Sequence, residues 1–319
     1  MQDKTPCPLC ESEKTEKTSV TYTAGGTEYS LNWCNQCTVH FWTPFVNPGA
    51  AWYESDERYS DRNQDPILTP NEKHRGVVAY FGDKTGRVLD VGCGTGNFLV
   101  HAESKGWEGW GIDFDTDAIA SGTSALGLTR LSVANVQEFS EAHQGLLFDL
   151  ITFFDVIEHL DDHTSFMQEV RKLLTAKGHI ALSVPYRHSW RWLIPHDLPP
   201  RHLTRWDEVS MSRFLERHGF TVTYSKRLPA SFYYLVMKMR FRYGGWASFG
   251  LVRKAKLAET LPTSVSKGKR HQSSRVQLLQ SLAKTKDMML FGIPAGILWI
   301  GLLFTRARYT DFYVVAQAK

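Results

Sequence analysis

Three groups of residues have the types and spacings that chemistry requires. The first lies in Arg87–Leu99, where a short run, Val88–Val91, reads as a buried strand that enters a turn containing Gly92, Gly94 and Gly96. Glycines so spaced allow a turn tight enough for backbone N–H groups to face a ligand at the start of a helix. Asn97 stands where a dinucleotide fingerprint has its third glycine, and Asp90 sits inside the strand just before the turn. That carboxylate repels a pyrophosphate and holds a ligand that ends in an ammonium group. Asp113, at the end of the next strand-like run, is spaced to grip a ribose diol with two hydrogen bonds.

The second group is Cys7-Pro-Leu-Cys10 and Cys34-Asn-Gln-Cys37, two C-x-x-C knuckles separated by a polar segment with strand character around Gly25-Gly26. Four thiolates so arranged can wrap one structural Zn²⁺ tetrahedrally, with a hairpin filling the linker. A free-thiol or redox pair is the rival, and the context is not thioredoxin-like. The third group is Asp155-Val-Ile-Glu158-His159 with, further on, His202. Neutral imidazole takes a proton near physiological pH, so His159 or His202 is a candidate general base, and Glu158 can orient it or hold a divalent ion. The bland alternatives are that Glu158 and His159 cap and pack the following helix and that His202 bonds backbone in its loop.

The glycine turn with its preceding acid, together with Asp113, resembles the first motifs of the class I S-adenosylmethionine (SAM)-dependent methyltransferases. The resemblance implies SAM as cofactor. It places the Asp90 and Gly92–Gly96 segment, including Cys93, at the amino-acid end of SAM, and Asp113 with its neighbour Phe114 at the ribose. Asn135, after the third strand, falls where the family holds an acid or amide near the adenine, with an ordinary turn residue as the alternative. For Cys93 a small filler residue is the alternative. Asp155, which the resemblance places among the cofactor-binding residues, opens a segment that looks like the post-strand motif of the small-molecule and quinone-type O-methyltransferase branch. The Asn/Asp-Pro-Pro-aromatic motif of amino-directed nucleic-acid enzymes is not found there, so nucleic acid is an unlikely partner. Pro200–Trp206 resembles the segment that closes over the family's site, which makes Tyr186–Arg205 an expected substrate lid.

Elements of alternating type must position these residues. Strands are expected at Arg87–Val91, Trp110–Asp113, Leu131–Ala134, Phe148–Phe154, His179–Pro185, Gly219–Tyr224 and Asp311–Ala316. Helices are expected between them, including Asn97–Lys105, Asp115–Leu126, one capped by Asp161 or Asp162 and ended by Gly178, and one capped by Thr204. The expected fold is α/β, a Rossmann-like seven-stranded methyltransferase sheet with a small N-terminal zinc ribbon and a helical C-terminal insertion. Its expected divisions are a ribbon over 1–45, a connector and leading helix over 46–82, a core over 83–228, an insertion over 229–309, and a last core strand over 310–319.

The global bounds agree with an ordinary globular chain. It has 319 residues, 42% hydrophobic and 22% charged, with a net charge of +4. Gln2-Asp3-Lys4 show no apolar leader, and five cysteines fit a reducing compartment, so a cytoplasmic location is expected. The charge is uneven, because Lys238–Arg275 carries ten Lys or Arg against one acid, Glu259. Met288–Phe304 is uncharged, and basic residues flank it. A helical hairpin dipping into one leaflet fits this pattern, and peripheral membrane contact is the first reading. Burial of the apolar run against the core or in a homodimer interface is the second. The acceptor so implied is a lipid-like, quinone-type or lipid-linked small molecule. A sugar or polysaccharide is the alternative, followed by RNA methylation and a non-catalytic scaffold.

Overall fold

The structure is a computed structural model and describes residues 5–49, 52, 70–189, 197–243 and 289–319. Most of the connector, part of the lid and nearly all of the basic segment fall outside the described residues.

The described chain divides into two compact units, Met1–Leu228 with Tyr309–Lys319, and Pro229–Arg308. In the larger unit, β1 (Thr15–Ala24) and β2 (Thr27–Cys34) form an antiparallel hairpin at Gly25-Gly26, as expected. β3 (His40–Thr43) pairs with β2. Helix α1 (Glu72–Phe81), capped by Asn71, leads into β4 (Arg87–Val91), α2 (Asn97–Glu103), β5 (Glu108–Asp113), α3 (Thr116–Leu126), β6 (Leu131–Val133) and α4 (Val136–Ala142). The chain continues through β7 (Phe148–Phe154), a 3₁₀ turn at Ile157–His159, α5 (His163–Leu173), β8 (Leu174–Pro185), β9 (Thr204–Arg205), α6 (Glu208–Arg217), β10 (Phe220–Pro229), α7 (Phe232–Tyr243) and β11 (Tyr309–Ala318).

Seven strands make one sheet in the order β10-β11-β8-β7-β4-β5-β6, parallel from β8 to β6, with β11 antiparallel to β8. Alternate residues of each central strand point to opposite faces. Leu89, Ile151 and Leu182 join one buried cluster, and Val88, Leu150 and Ala181 the other. Helix-covered faces on both sides explain why these strands read as continuous apolar runs.

Several boundaries differ from expectation, and two of them have a clear physical cause. Gly178 does not end a helix: α5 stops at Leu173 and the chain passes directly into β8. A Cβ at Gly178 would stand 2.8 Å from Leu174 Cδ2, so close packing inside the strand demands the glycine. Nor does Thr204 cap α6. Its hydroxyl accepts the indole N–H of Trp206 at 2.8 Å, and the cap is Asp207, in a reciprocal box with Ser210. Thr204 instead belongs to β9, which pairs with β3 through His40–Arg205 and Phe41–Thr204, so the N-terminal sheet has the order β1-β2-β3-β9.

The smaller unit contains α7 and a helix over 289–302. The indole N–H of Trp299 donates to the Ala230 carbonyl at 3.4 Å. Met289, Ile293, Ile297, Ile300 and Phe304 stand exposed at helical spacing. Among the described residues, no helix is long and apolar enough to cross a membrane; Met288 lies outside them.

Candidate active site

Asp90, the glycine turn, Asp113, Asn135 and Asp155 all lie on or just past the carboxyl ends of parallel strands, and so on one edge of the sheet. That edge is where open α/β sheets bind ligands. Gly92, Gly94 and Gly96 have φ of 74°, 54° and 83°, a region in which a side chain is strained. A Cβ on Gly92 would also meet Val156 at 2.6 Å, whereas one on Gly94 would meet nothing within 4 Å. The turn is thus clamped at its first glycine and open at its second.

The expected array of outward N–H groups is not what forms. The N–H groups of Gly92 and Cys93 both donate to the Ile112 carbonyl, at 2.8 and 3.0 Å, and that of Gly96 donates to Cys93 at 2.9 Å. The Gly94 N–H donates to Asp113 Oδ2 at 2.8 Å. An anion-binding nest is therefore excluded at these positions, because the adjacent strand and Asp113 consume its donors. The buried carboxylate of Asp90 points the same way. It is fully enclosed and accepts from Thr152 Oγ1 at 2.6 Å, and burial raises its pKa to about 7.

Asp113 accepts from Gly94 and, through Oδ1, from the N–H of Asp115 at 2.9 Å. Burial nonetheless holds its pKa above the ordinary carboxylate value. Phe114 beside it is half-exposed. The Cys93 side chain packs in the core, and burial pushes the pKa of its thiol up. Asn135 Oδ1 accepts the N–H groups of Gln137 and Glu138, both at 2.9 Å, in a capping box that opens α4.

Beyond the glycine turn, Asp155 has φ of 56° and is bonded on two sides. Ser183 Oγ donates to it at 2.9 Å, and Lys73 of α1 forms an ion pair with it while also donating to Ser183 at 3.0 Å. Three residues on, the groups expected to do acid–base work come together. Glu158 and His202 are buried and His159 is half-buried. One carboxylate oxygen and one ring nitrogen from each histidine lie within 4.8 Å of one another. The imidazole rings meet edge to face at 4.7 Å. His159 Nδ1 is 2.7 Å from the Arg201 carbonyl. A carbonyl can only accept, so Nδ1 carries the proton and Nε2 of the neutral ring carries the lone pair. Leu203 N–H donates to the Glu158 carbonyl at 2.8 Å, fixing the segment that carries His202 to this turn.

Lys73, Ser183 and Asn47 belong to this site and were not singled out by sequence. Asn47 donates through its side-chain amide to the His159 carbonyl at 2.7 Å, and its backbone N–H donates to Asp161 Oδ2 at 2.8 Å. Asn47 falls in the expected connector, and no motif marks that residue.

In the ribbon, all four thiol sulfurs lie within 4.8 Å of one another. Cys7–Cys37 and Cys10–Cys34 are each separated by 3.6 Å. A tetrahedron with bonds of about 2.3 Å has edges of about 3.8 Å, whereas a disulfide would require about 2.05 Å. The Cys37 N–H also points at Cys34 Sγ, at 3.4 Å. The donor set and its spacing fit a tetrahedral thiophilic cation.

Residues 68–225 match the family described as "Methyltransferase domain". A ubiquinone biosynthesis O-methyltransferase of Pectobacterium atrosepticum is 32% identical over 198 residues, covering 53% of this chain and 77% of that protein. The chain belongs to the class I SAM-dependent methyltransferases. A second relative of this methyltransferase, the ubiquinone biosynthesis O-methyltransferase of Pectobacterium carotovorum, is 35% identical, with 46% of this chain and 61% of that protein covered. The methyltransferase thus spans between about three-fifths and three-quarters of the length of such relatives. Among solved structures, the SAM complex of phosphoethanolamine N-methyltransferase 2 from Haemonchus contortus matches with a TM-score of 0.52 at 14% identity, covering 94% of this chain and 71% of that one. That likeness is one of fold.

Proposed function

We propose that this methyltransferase moves a methyl group from SAM to an oxygen of a small quinone-type acceptor, a phenol or enol. The observation that carries the proposal is the Glu158–His159–His202 cluster, set three residues beyond Asp155 and roofed by the lid segment. The names of the related proteins agree with such an acceptor.

When bound, SAM supplies a methyl group already activated on a sulfonium, so the chain's work is alignment, water exclusion and proton removal. In this reading Asp90 faces the ammonium end of the cofactor, the open side of Gly94 admits its close approach, and Asp113 holds the ribose. Asn135 flanks the adenine through its side-chain amide. His159, oriented by the Arg201 carbonyl, takes the acceptor's hydroxyl proton at Nε2, and His202 and Glu158 stabilise the imidazolium that results. Lys73 keeps Asp155 aligned at the acceptor's entry.

A second reading of the same cluster is favoured by the convergence of its three ligand atoms. It would hold a divalent cation that binds the acceptor oxygen. Calorimetric titration with Mg²⁺ on the zinc-loaded chain and on its Glu158→Gln variant separates the two readings: binding that the variant loses favours the cation. Cys7, Cys10, Cys34 and Cys37 would bind one structural zinc, adding stability and no chemistry. The exposed apolar face over 289–304, between basic flanks, supports contact with an anionic lipid surface where an apolar acceptor would reside.

The test is incubation with methyl-labelled SAM, catechol and quinol acceptors, and a host lysate, followed by fractionation. Label is expected in the organic fraction and is expected to disappear in His159→Ala. Label in glycan or RNA would overturn the acceptor assignment.

A further inference from the structure

Among the described residues of the larger unit, one densely bonded cation belongs to none of the roles above. Arg187 follows β8 at the start of the lid, and its side chain is 7% exposed. Its guanidinium forms an ion pair with Asp207, whose side chain is 9% exposed and which caps α6 at the other end of the lid. The same guanidinium donates to the Thr38 carbonyl, immediately after Cys37, and stacks 4.9 Å from the Trp33 ring of β2. The backbone repeats the pattern. The Arg187 N–H donates to Trp206 at 2.8 Å, and Arg205 donates back to the Arg187 carbonyl at 3.0 Å. Arg187 therefore closes the neck of the lid and fastens it to the cysteine knuckle.

The knuckle itself is rigidly specified. Thr38 has φ of 62°, and its N–H donates to the Cys34 carbonyl at 2.9 Å. Its carbonyl direction is consequently set by the turn that carries Cys34 and Cys37. Arg213 of α6 fastens the same knuckle by donating to the Gln36 carbonyl at 2.8 Å. Between these two attachments, β3 pairs with β9, and the Trp42 N–H donates to the Leu203 carbonyl at 2.9 Å. The segment so held includes Arg201, whose carbonyl orients His159, and His202. A planar fork can serve a carboxylate and a carbonyl together, whereas an ammonium acts as a point charge.

We propose that Arg187 is a positioning residue through which the cysteine knuckle, closed on its metal, sets the lid segment 201–205 over the acceptor site. The proposal rests on the acceptor-side reading of His159 and His202, and its main test needs no turnover. Hydrogen exchange with mass-spectrometric detection is run on the full zinc-loaded chain, before and after 1,10-phenanthroline removes the metal. In the wild type, chelation is expected to speed exchange across 199–207 about tenfold while β4 and β7 stay protected. Arg187→Lys, which keeps the charge and loses the fork, is expected to start with a loosened lid and to respond little to chelation. Arg187→Met/Asp207→Asn removes both charges together, so that no orphan carboxylate is buried.

With an acceptor in hand, Arg187→Lys is expected to raise the acceptor KM about tenfold and leave the SAM Kd unchanged. Lid exchange that ignores chelation in the wild type would overturn the proposal. So would purified protein without zinc, or an Arg187→Lys lid that responds as fully as the wild type. Failure of the methyl-label assay alone would instead remove the acceptor assignment and leave the exchange result standing.

Discussion

The two halves of the candidate site are built differently. The cofactor half comes from short contiguous stretches, each delivered by the end of a parallel strand: Asp90 and its turn, Asp113, and Asn135. The acceptor half is assembled from distant parts of the chain, with Asn47, Lys73, Arg201 and His202 converging on Asp155–His159. Strand geometry alone places the first half, while the second exists only once the ribbon, the lid and α1 have docked. Substitutions in the two halves should therefore separate cofactor affinity from acceptor turnover.

The widest separation is expected at His159. Replacing it by Ala should lower kcat by about a thousandfold with SAM affinity unchanged, measured by single-turnover label transfer and calorimetry. Equal loss of SAM binding would erase the distinction between the halves. Asp113→Ala is the mirror experiment. Losing the ribose contact proposed for it, and the acceptor of the Gly94 N–H, should weaken SAM binding by about 3 kcal/mol, roughly a hundredfold, with the acceptor KM unmoved. Lys73→Met tests whether α1 serves the acceptor half. The expected effect is a rise in acceptor KM of about tenfold, with kcat nearly kept.

The smallest and most diagnostic effect concerns Asp90. Its folded-state pKa of about 7 lies above the ordinary value of 3.8, because burial disfavours the charge. Between those values the folded protein binds the proton and the unfolded chain does not, so this group's contribution falls as pH rises and its penalty is complete above about pH 7. Asp90→Asn should therefore raise the Tm of the cofactor-free protein more at pH 8 than at pH 5, while weakening SAM binding. Fully buried His163, whose pKa burial lowers to about 4, titrates with the opposite sense in both proteins and cancels in the difference. A Tm gain that is the same at both pH values would mean that folding does not raise the Asp90 pKa and that the carboxylate is already charged at pH 5.

The contrast between the halves also marks what could be read without a structure. The glycine turn was legible because φ above zero demands glycine, yet the direction of its N–H groups was not. The Ile112 carbonyl and Asp113 that capture them come from the neighbouring strand. The cysteine knuckles were legible from spacing alone, whereas their attachment to the lid was hidden in Arg187 and in a two-residue strand, too short to carry any periodicity. Thr204 has a good capping side chain and was mistaken for a cap because pairing with β3 outranks local preference.

By itself, the sequence determined the alternation of strands and helices, the cysteine tetrad, and the acids at the strand ends, since each depends on residue types within a few positions of one another. Tertiary structure alone decided which histidine nitrogen bears its proton, which lysine meets Asp155, and that the N-terminal sheet borrows its fourth strand from the lid. Those outcomes depend on partners far apart in the chain, such as His159 with Arg201, Lys73 with Asp155 and Arg187 with Thr38. No local pattern encodes such pairs, because only folding brings their polar groups together and removes the water that would otherwise satisfy them.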